Sequence, residues 1–314
     1  MDGLGNSKKL FIPIMEVMRM LKRLLIPISL IVIALLVLVS PVKQAEAWQE
    51  GKVEVQMIGF GCLKITSPEG TVILLDPWFG SNDFFPDGNP AIPMKYKKNI
   101  REFGKVDIVL ITHAHFDHLD LEDVQALVHE FDAVVIAPVE TCCYMSEKLG
   151  PEISKHIENG GFGMNHGPMP APIKGVHFTG VPAFHSSSEL KLDSEGRIWH
   201  RDVGNPLGYI ITFSNGFKIY VSGDTGLFGD MKTIIGDYYK PDLAILNVCG
   251  GGLTIGGDSA AFAVKLLGVK HVISAHYGVF AMMDQTPEKF INACKKRARR
   301  VKIYPLQSDE AVEF

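Results

Sequence analysis

The sequence predicts an α/β (α+β) domain built from two mixed sheets packed face to face, with helices outside. Three observations carry this. Residues 106–112 (VDIVLIT), 133–137, 242–247 and 271–274 are short unbroken apolar runs, as strands covered on both faces should be. Residues 52–57, 62–66 and 71–75 are strand-like runs separated by turns, which reads as an antiparallel meander. Helical stretches near 121–130 and 258–267 adjoin buried strands, one in each half, so that helices can cover the outer sheet faces.

The chain has 314 residues, 46% hydrophobic and 21% charged, which is ample material for a core. Its formal net charge is −4. Residues 1–47 carry six Lys/Arg and three acids, a balance of +3, so the remainder carries −7. A mildly acidic body is a poor footprint for nucleic acid, and no nucleic-acid partner is expected.

Residues 24–42 hold no charge, follow Arg19, Lys22 and Arg23, and precede Ala45-Glu46-Ala47. A basic start, an apolar run and a small-x-small site read as a secretory signal peptide over residues 1–47. A retained N-terminal anchor is the alternative, since the run is long enough to span a bilayer. Either reading places the body, residues 48–314, outside the cytoplasm, with any membrane contact through the N-terminal segment alone. The five cysteines, Cys62, Cys142, Cys143, Cys249 and Cys294, show no ligand-type spacing. An oxidising compartment permits a disulfide, but the simpler expectation is mostly buried small hydrophobes.

Along the body, Ser67-Pro68-Glu69-Gly70 supplies the turn between the second and third runs. The second half repeats the rhythm, with strands at 175–179, 208–213 and 217–222, the last two joined through Ser214-Asn215-Gly216. Residues 78–96 and 160–172 are rich in Gly, Pro and Asn and read as long loops, the kind that wall a site. No linker separates independent domains.

Directly after the apolar run 106–112 comes His113-Ala114-His115-Phe116-Asp117-His118. Three imidazoles and a carboxylate within six residues at a strand end suit zinc or a similar ion. Strand alternation aims His113 and His115 to one side. Asp117 and His118, on the turn, can aim at a second point a few ångström away, which is a design for two adjacent metals. His185, Asp224 (in Ser222-Gly223-Asp224-Thr225-Gly226) and His276 also sit in turns just after strands and fit the same site.

This order of ligands resembles the metallo-β-lactamase superfamily, over essentially all of residues 52–305. Pro182-Ala183-Phe184-His185-Ser186-Ser187, Gly204-Asn205-Pro206-Leu207-Gly208 and the run from Gly223 to Met231 look like one branch. That branch is the small metal-dependent hydrolases related to ascorbate-6-phosphate lactonase; N-acyl-phosphatidylethanolamine phospholipase D is a more distant relative. The resemblance implies a four-layer αββα fold. It implies one metal on His113, His115 and His185, another on Asp117, His118 and His276, and Asp224 bridging both. Asp76 matches a superfamily Asp that orients the first-motif ligands, and reads equally as a turn cap before Pro77.

By that resemblance the activity is hydrolysis of an ester-type bond, a lactone or a phosphodiester, by a hydroxide shared between two divalent ions. Zinc is expected, with manganese or iron as alternatives, and the substrate would be a small or lipid-like molecule. Asp117 is then catalytic as well as a ligand. His166, His200 and Tyr277 are the candidate proton donors, although for each a surface or packing role is the simpler reading. Ser186 and Ser222 read as turn residues rather than nucleophiles. A β-lactamase is disfavoured because Asp224 stands where those enzymes usually have Cys or His. A tRNA-processing nuclease is disfavoured by the charge and the export signal. The alternative from another class is a non-catalytic metal-binding protein with a degenerate site, against which stands a full set of seven ligands.

Overall fold

The structure is a computed structural model that describes Met15 and residues 51–158, 161 and 163–314. The chain divides into two units, Met1–Trp48 and Gln49–Phe314. The expected signal or anchor segment lies outside the described residues. Among those residues no helix is long and apolar enough to cross a membrane.

The described residues of the second unit form fifteen strands: β1 (Glu54–Gly59), β2 (Cys62–Thr66), β3 (Val72–Leu75), β4 (Ile108–Leu110), β5 (Val134–Ile136), β6 (Gly167–Pro168), β7 (His177–Pro182), β8 (Ser188–Leu192), β9 (Ile198–Asp202), β10 (Leu207–Thr212), β11 (Lys218–Val221), β12 (Leu243–Asn247), β13 (His271–Ala275), β14 (Lys302–Tyr304) and β15 (Ala311–Glu313). One sheet runs β15-β1-β2-β3-β4-β5, the other β14-β13-β12-β11-β10-β7-β6, and β8-β9 form a separate hairpin. In each large sheet antiparallel pairs give way to parallel ones, from β3 onward in the first and from β11 onward in the second. The rhythm shared by the two halves of the sequence is this mixed pairing.

Alternation along the strands sorts the layers. Ile73, Leu75, Ile108 and Leu110 face Tyr209, Ile211, Ile219, Ile245 and Ile273 in the core between the sheets. Their neighbours Leu74, Val109 and Ile111 turn outward onto Val124, Leu127 and Met145 of the covering helices. On the second sheet Ile210, Tyr220, Ala244 and Val272 turn outward onto Ala260, Val264 and Phe290. The result is αββα. Each such side chain, once buried, contributes roughly 1.5–3 kcal/mol from removal of apolar area from water.

The expected helix near 121–130 runs Leu121–Phe131. The Asp120 carboxylate accepts from Glu122 N and Asp123 N to cap its start. Its buried residues Val124, Leu127 and Val128 recur at helical spacing. The helix near 258–267 runs Gly257–Leu267. Helices Val139–Leu149 and Glu288–Arg297 and strands β14 and β15 were not expected. The loop at 78–96 ends in a short helix, Met94–Lys98. Residues 190–203 lie in and just after the β8–β9 hairpin. All five cysteines are free thiols; only Cys143 is exposed.

Candidate metal centre

Strand ends deliver every side chain of the site. The chain leaves β4 through Ile111 and Thr112 into residues 113–118; His185 follows β7, Asp224 follows β11 and His276 follows β13. Three groupings result: His113, His115 and His185; Asp117, His118 and His276; and Asp224 with His113 and His118. Within each grouping the ligand atoms lie within 4.8 Å of one another.

The spacings suit metal ions. His113 Nε2 lies 3.0 Å from His115 Nδ1, and His185 Nε2 lies 3.3 Å from the same atom. In the second group His118 Nε2 and His276 Nε2 are 2.9 Å apart, with Asp117 Oδ2 3.4 Å from His276 Nε2. Tetrahedral zinc with nitrogens at 2.0–2.1 Å sets its donors roughly 3.3 Å apart. Asp224 faces both groups, with Oδ1 3.4 Å from His118 Nε2 and Oδ2 3.7 Å from His185 Nε2.

Four of the ligands are held from behind. Asp76, just past β3, accepts from Thr112 N and Thr112 Oγ1, both at 2.7 Å, and its Oδ2 lies 2.8 Å from His118 Nδ1. Asp76 therefore orients the ligand loop; such partners fix ring orientation and tautomer. Thr112 Oγ1 lies 3.0 Å from His113 Nδ1, and Ser188 Oγ and Ser186 Oγ lie 3.2 and 3.3 Å from His115 Nε2. Asn247, ending β12, donates to Asp224 Oδ1 at 2.7 Å. The local backbone is strained: Phe60, Asp76 and His276 have φ of 58°, 44° and 66°, a region that costs a non-glycine residue energy and that clusters at functional sites. Gly61 leaves room for the rings, since a Cβ there would stand 3.2 Å from His276 Cδ2.

Electrostatics agree with a cation site. Burial holds His113 well below the usual imidazole range, takes His115 down to about 4 and lowers His185, so all three are neutral donors at pH 7. Burial also opposes charge on His118 and His276, but Asp224, with Asp117, outweighs it and carries His276 up to about 10 and His118 upward. Burial works against ionisation of Asp117 and Asp224 too, and the neighbouring imidazoles overcome it. The carboxylates of Asp117 and Asp224 therefore favour positive charge at His118 and His276.

The proton-donor expectation fares differently. His166 is exposed and meets Gly180 only through a backbone bridge. His200 is exposed on β9, opposite Leu190. Tyr277 adjoins His276 in sequence but packs against the outer layer, where burial raises its phenol. Among the described residues, none of the three forms a hydrogen bond or ion pair with any of the seven ligand side chains. Strand alternation and a one-residue step around His276 turn them elsewhere. Ser222 is a turn residue as expected, its hydroxyl donating to Gly223 O. Ser186 instead reaches His115. Thr112 and Ser186 adjoin ligands in sequence, which is a usable signal; Ser188 and Asn247 carry no comparable one.

An αββα sandwich with paired His/Asp groups at its strand ends defines a metallo-hydrolase. The model of the beta-lactamase superfamily domain matches residues 71–277. The UPF0173 metal-dependent hydrolase of Rubrobacter xylanophilus is 33% identical over 260 residues, covering 83% of this chain and 96% of its own. That of Cupriavidus taiwanensis is 39% identical over 269 residues, covering 84% and 87%. Among solved structures, Igni18, a metallo hydrolase from the hyperthermophilic archaeon Ignicoccus hospitalis, is similar with a TM-score of 0.65 at 28% identity, over 84% of this chain and 98% of that one. The chain belongs to the metallo-β-lactamase superfamily and is one of its metal-dependent hydrolases.

Proposed function

We propose that this hydrolase holds two metal ions and cleaves an ester-type bond, a lactone or a phosphodiester, outside the cytoplasm. The observation that carries the two-metal reading is Asp224, whose two oxygens face two different histidine groups at 3.4 and 3.7 Å. Two divalent ions in such a site supply an activated water and polarise the attacked oxygen. His113, His115 and His185 would hold one ion, Asp117, His118 and His276 the other, and Asp224 both. The mixed nitrogen and oxygen donors suit zinc, and also manganese or iron. Asp117, whose Oδ2 lies 3.4 Å from His276 Nε2, would take up or return a proton at the reacting centre. No Ser or Cys nucleophile is required. Export is supported by the sequence of residues 24–42 and the small-x-small site after it.

The test is elemental analysis of the purified full chain, with the same sample assayed against a lactone and a bis-aryl phosphodiester. About two ions per chain with turnover of either supports the reading and chooses the bond. Fewer than one ion after reloading with zinc or manganese would overturn it in favour of a degenerate site. Cell fractionation tests export: a soluble cytoplasmic chain of full length would refute it.

A further inference from the structure

An apolar cluster beside the metal centre lies outside the three layer interfaces. Phe60, Trp78, Cys249 and Met283 are its buried members, and Phe85, Phe116 and Phe280 pack against it half-buried. It meets the centre at two independent points. The Phe60 ring lies 3.9 Å from the His276 ring. Phe116 stands between His115 and Asp117, so its backbone is fixed one residue from a ligand of each group. Its ring stacks on Phe84 with centroids 4.7 Å and planes 14° apart, and Phe280 lies at 6.0 Å.

A cavity of about 290 Å³ opens beside Phe116, and Ala114, Leu119, Tyr144 and Leu190 contribute to its wall. The charges along it are largely engaged. Lys191 pairs with Glu189, which also holds Lys148, Asp120 caps its helix, and Asp83 accepts from Leu192 N. Among the described residues no free cation lines this cavity, so a carboxylate or phosphate tail would find no partner there. Half-exposed rings, by contrast, gain roughly 25 cal/mol for each Å² of apolar surface that a ligand covers.

We propose that Phe116, backed by Phe84 and Phe280, receives an uncharged apolar group of the substrate, an alkyl chain or aromatic ring, and sets which groups fit. The assignment rests on reading the adjacent centre as the metal-loaded hydrolytic site. The substrate class is then an ester whose reacting head goes to the metals and whose apolar part lies on Phe116.

Acetohydroxamate and benzohydroxamate share a metal-chelating head and differ only in the apolar group. Their dissociation constants on the zinc-loaded full chain are to be compared by calorimetry, beside the zinc content of each sample. The native chain should bind benzohydroxamate at least about tenfold tighter. Phe116→Ala should shrink that ratio to about threefold or less, and Phe116→Leu should keep most of it. A native ratio near one, or a ratio indifferent to Phe116→Ala, overturns the wall while leaving the metal centre standing. Failure of both hydroxamates to bind overturns the metal-centre reading, and the wall falls with it.

Discussion

Asp76 Oδ2 lies 2.8 Å from His118 Nδ1, which ties the end of β3 to the ligand loop after β4 and points His118 Nε2 at His276. Asp76→Asn can keep the left-handed φ of 44°, which asparagine tolerates, but loses the charge. Metal affinity should fall about 10–100-fold, read by competition with a chromogenic chelator. Unchanged affinity would reduce Asp76 to a turn residue.

His185 reaches the site through Nε2, 3.3 Å from His115 Nδ1. If the centre holds two ions, His185→Ala should lower metal content toward one, because the first ion then keeps only His113, His115 and the shared Asp224. A count that stays at two would remove His185 from the ligand set.

Asp117 is nearly buried and faces His276 at 3.4 Å. Asp117→Asn should cut turnover of the best ester substrate by at least about a hundredfold, with circular dichroism unchanged. Full turnover in that variant would reject the site as drawn.

Tyr209 has no exposed surface, and its hydroxyl donates at 2.7 Å to Ile111 O, two residues before His113. Tyr209→Phe leaves a buried carbonyl without that donor and should cost about 1–3 kcal/mol in urea unfolding. An unmoved midpoint would mean that another donor reaches Ile111.

Burial carries the Cys142 and Cys294 thiols up to about 12 and Cys62 well upward, and Cys249 is buried as well. One thiol in five, Cys143, should react quickly with Ellman's reagent at pH 8 in the folded chain, and all five after denaturation. Fast reaction of two or more would place another cysteine at the surface.

Much of this was legible in the residues. The runs VDIVLIT and VPAF end in turns that carry His113 and His185, and a buried strand followed by a polar turn is a local pattern that needs no partner to be recognised. The helix from Leu121 announces itself through Asp120 at its cap and through apolar spacing. The three-residue strands β14 and β15 were illegible because so short a segment has no period of its own; β15 exists as a strand because Val312 finds Val55 of β1. The β8–β9 hairpin was illegible as well, since β9 is exposed throughout and shows no buried face to read.

Residue type and spacing by themselves pointed to the candidate ligand residues, the two-sheet architecture and the resemblance to a family, because side-chain chemistry and strand or helix periodicity are local properties of the chain. Only the tertiary structure decided that His118 and His276, 158 residues apart, bring their Nε2 atoms within 2.9 Å. It also decided that Asn247 holds Asp224, that Ser188 backs His115, that Phe60 lies on His276, and that His166, His200 and Tyr277 turn away. Those relations depend on how two sheets pack and on which way each strand end points, and the packing of distant segments is set by the whole core at once.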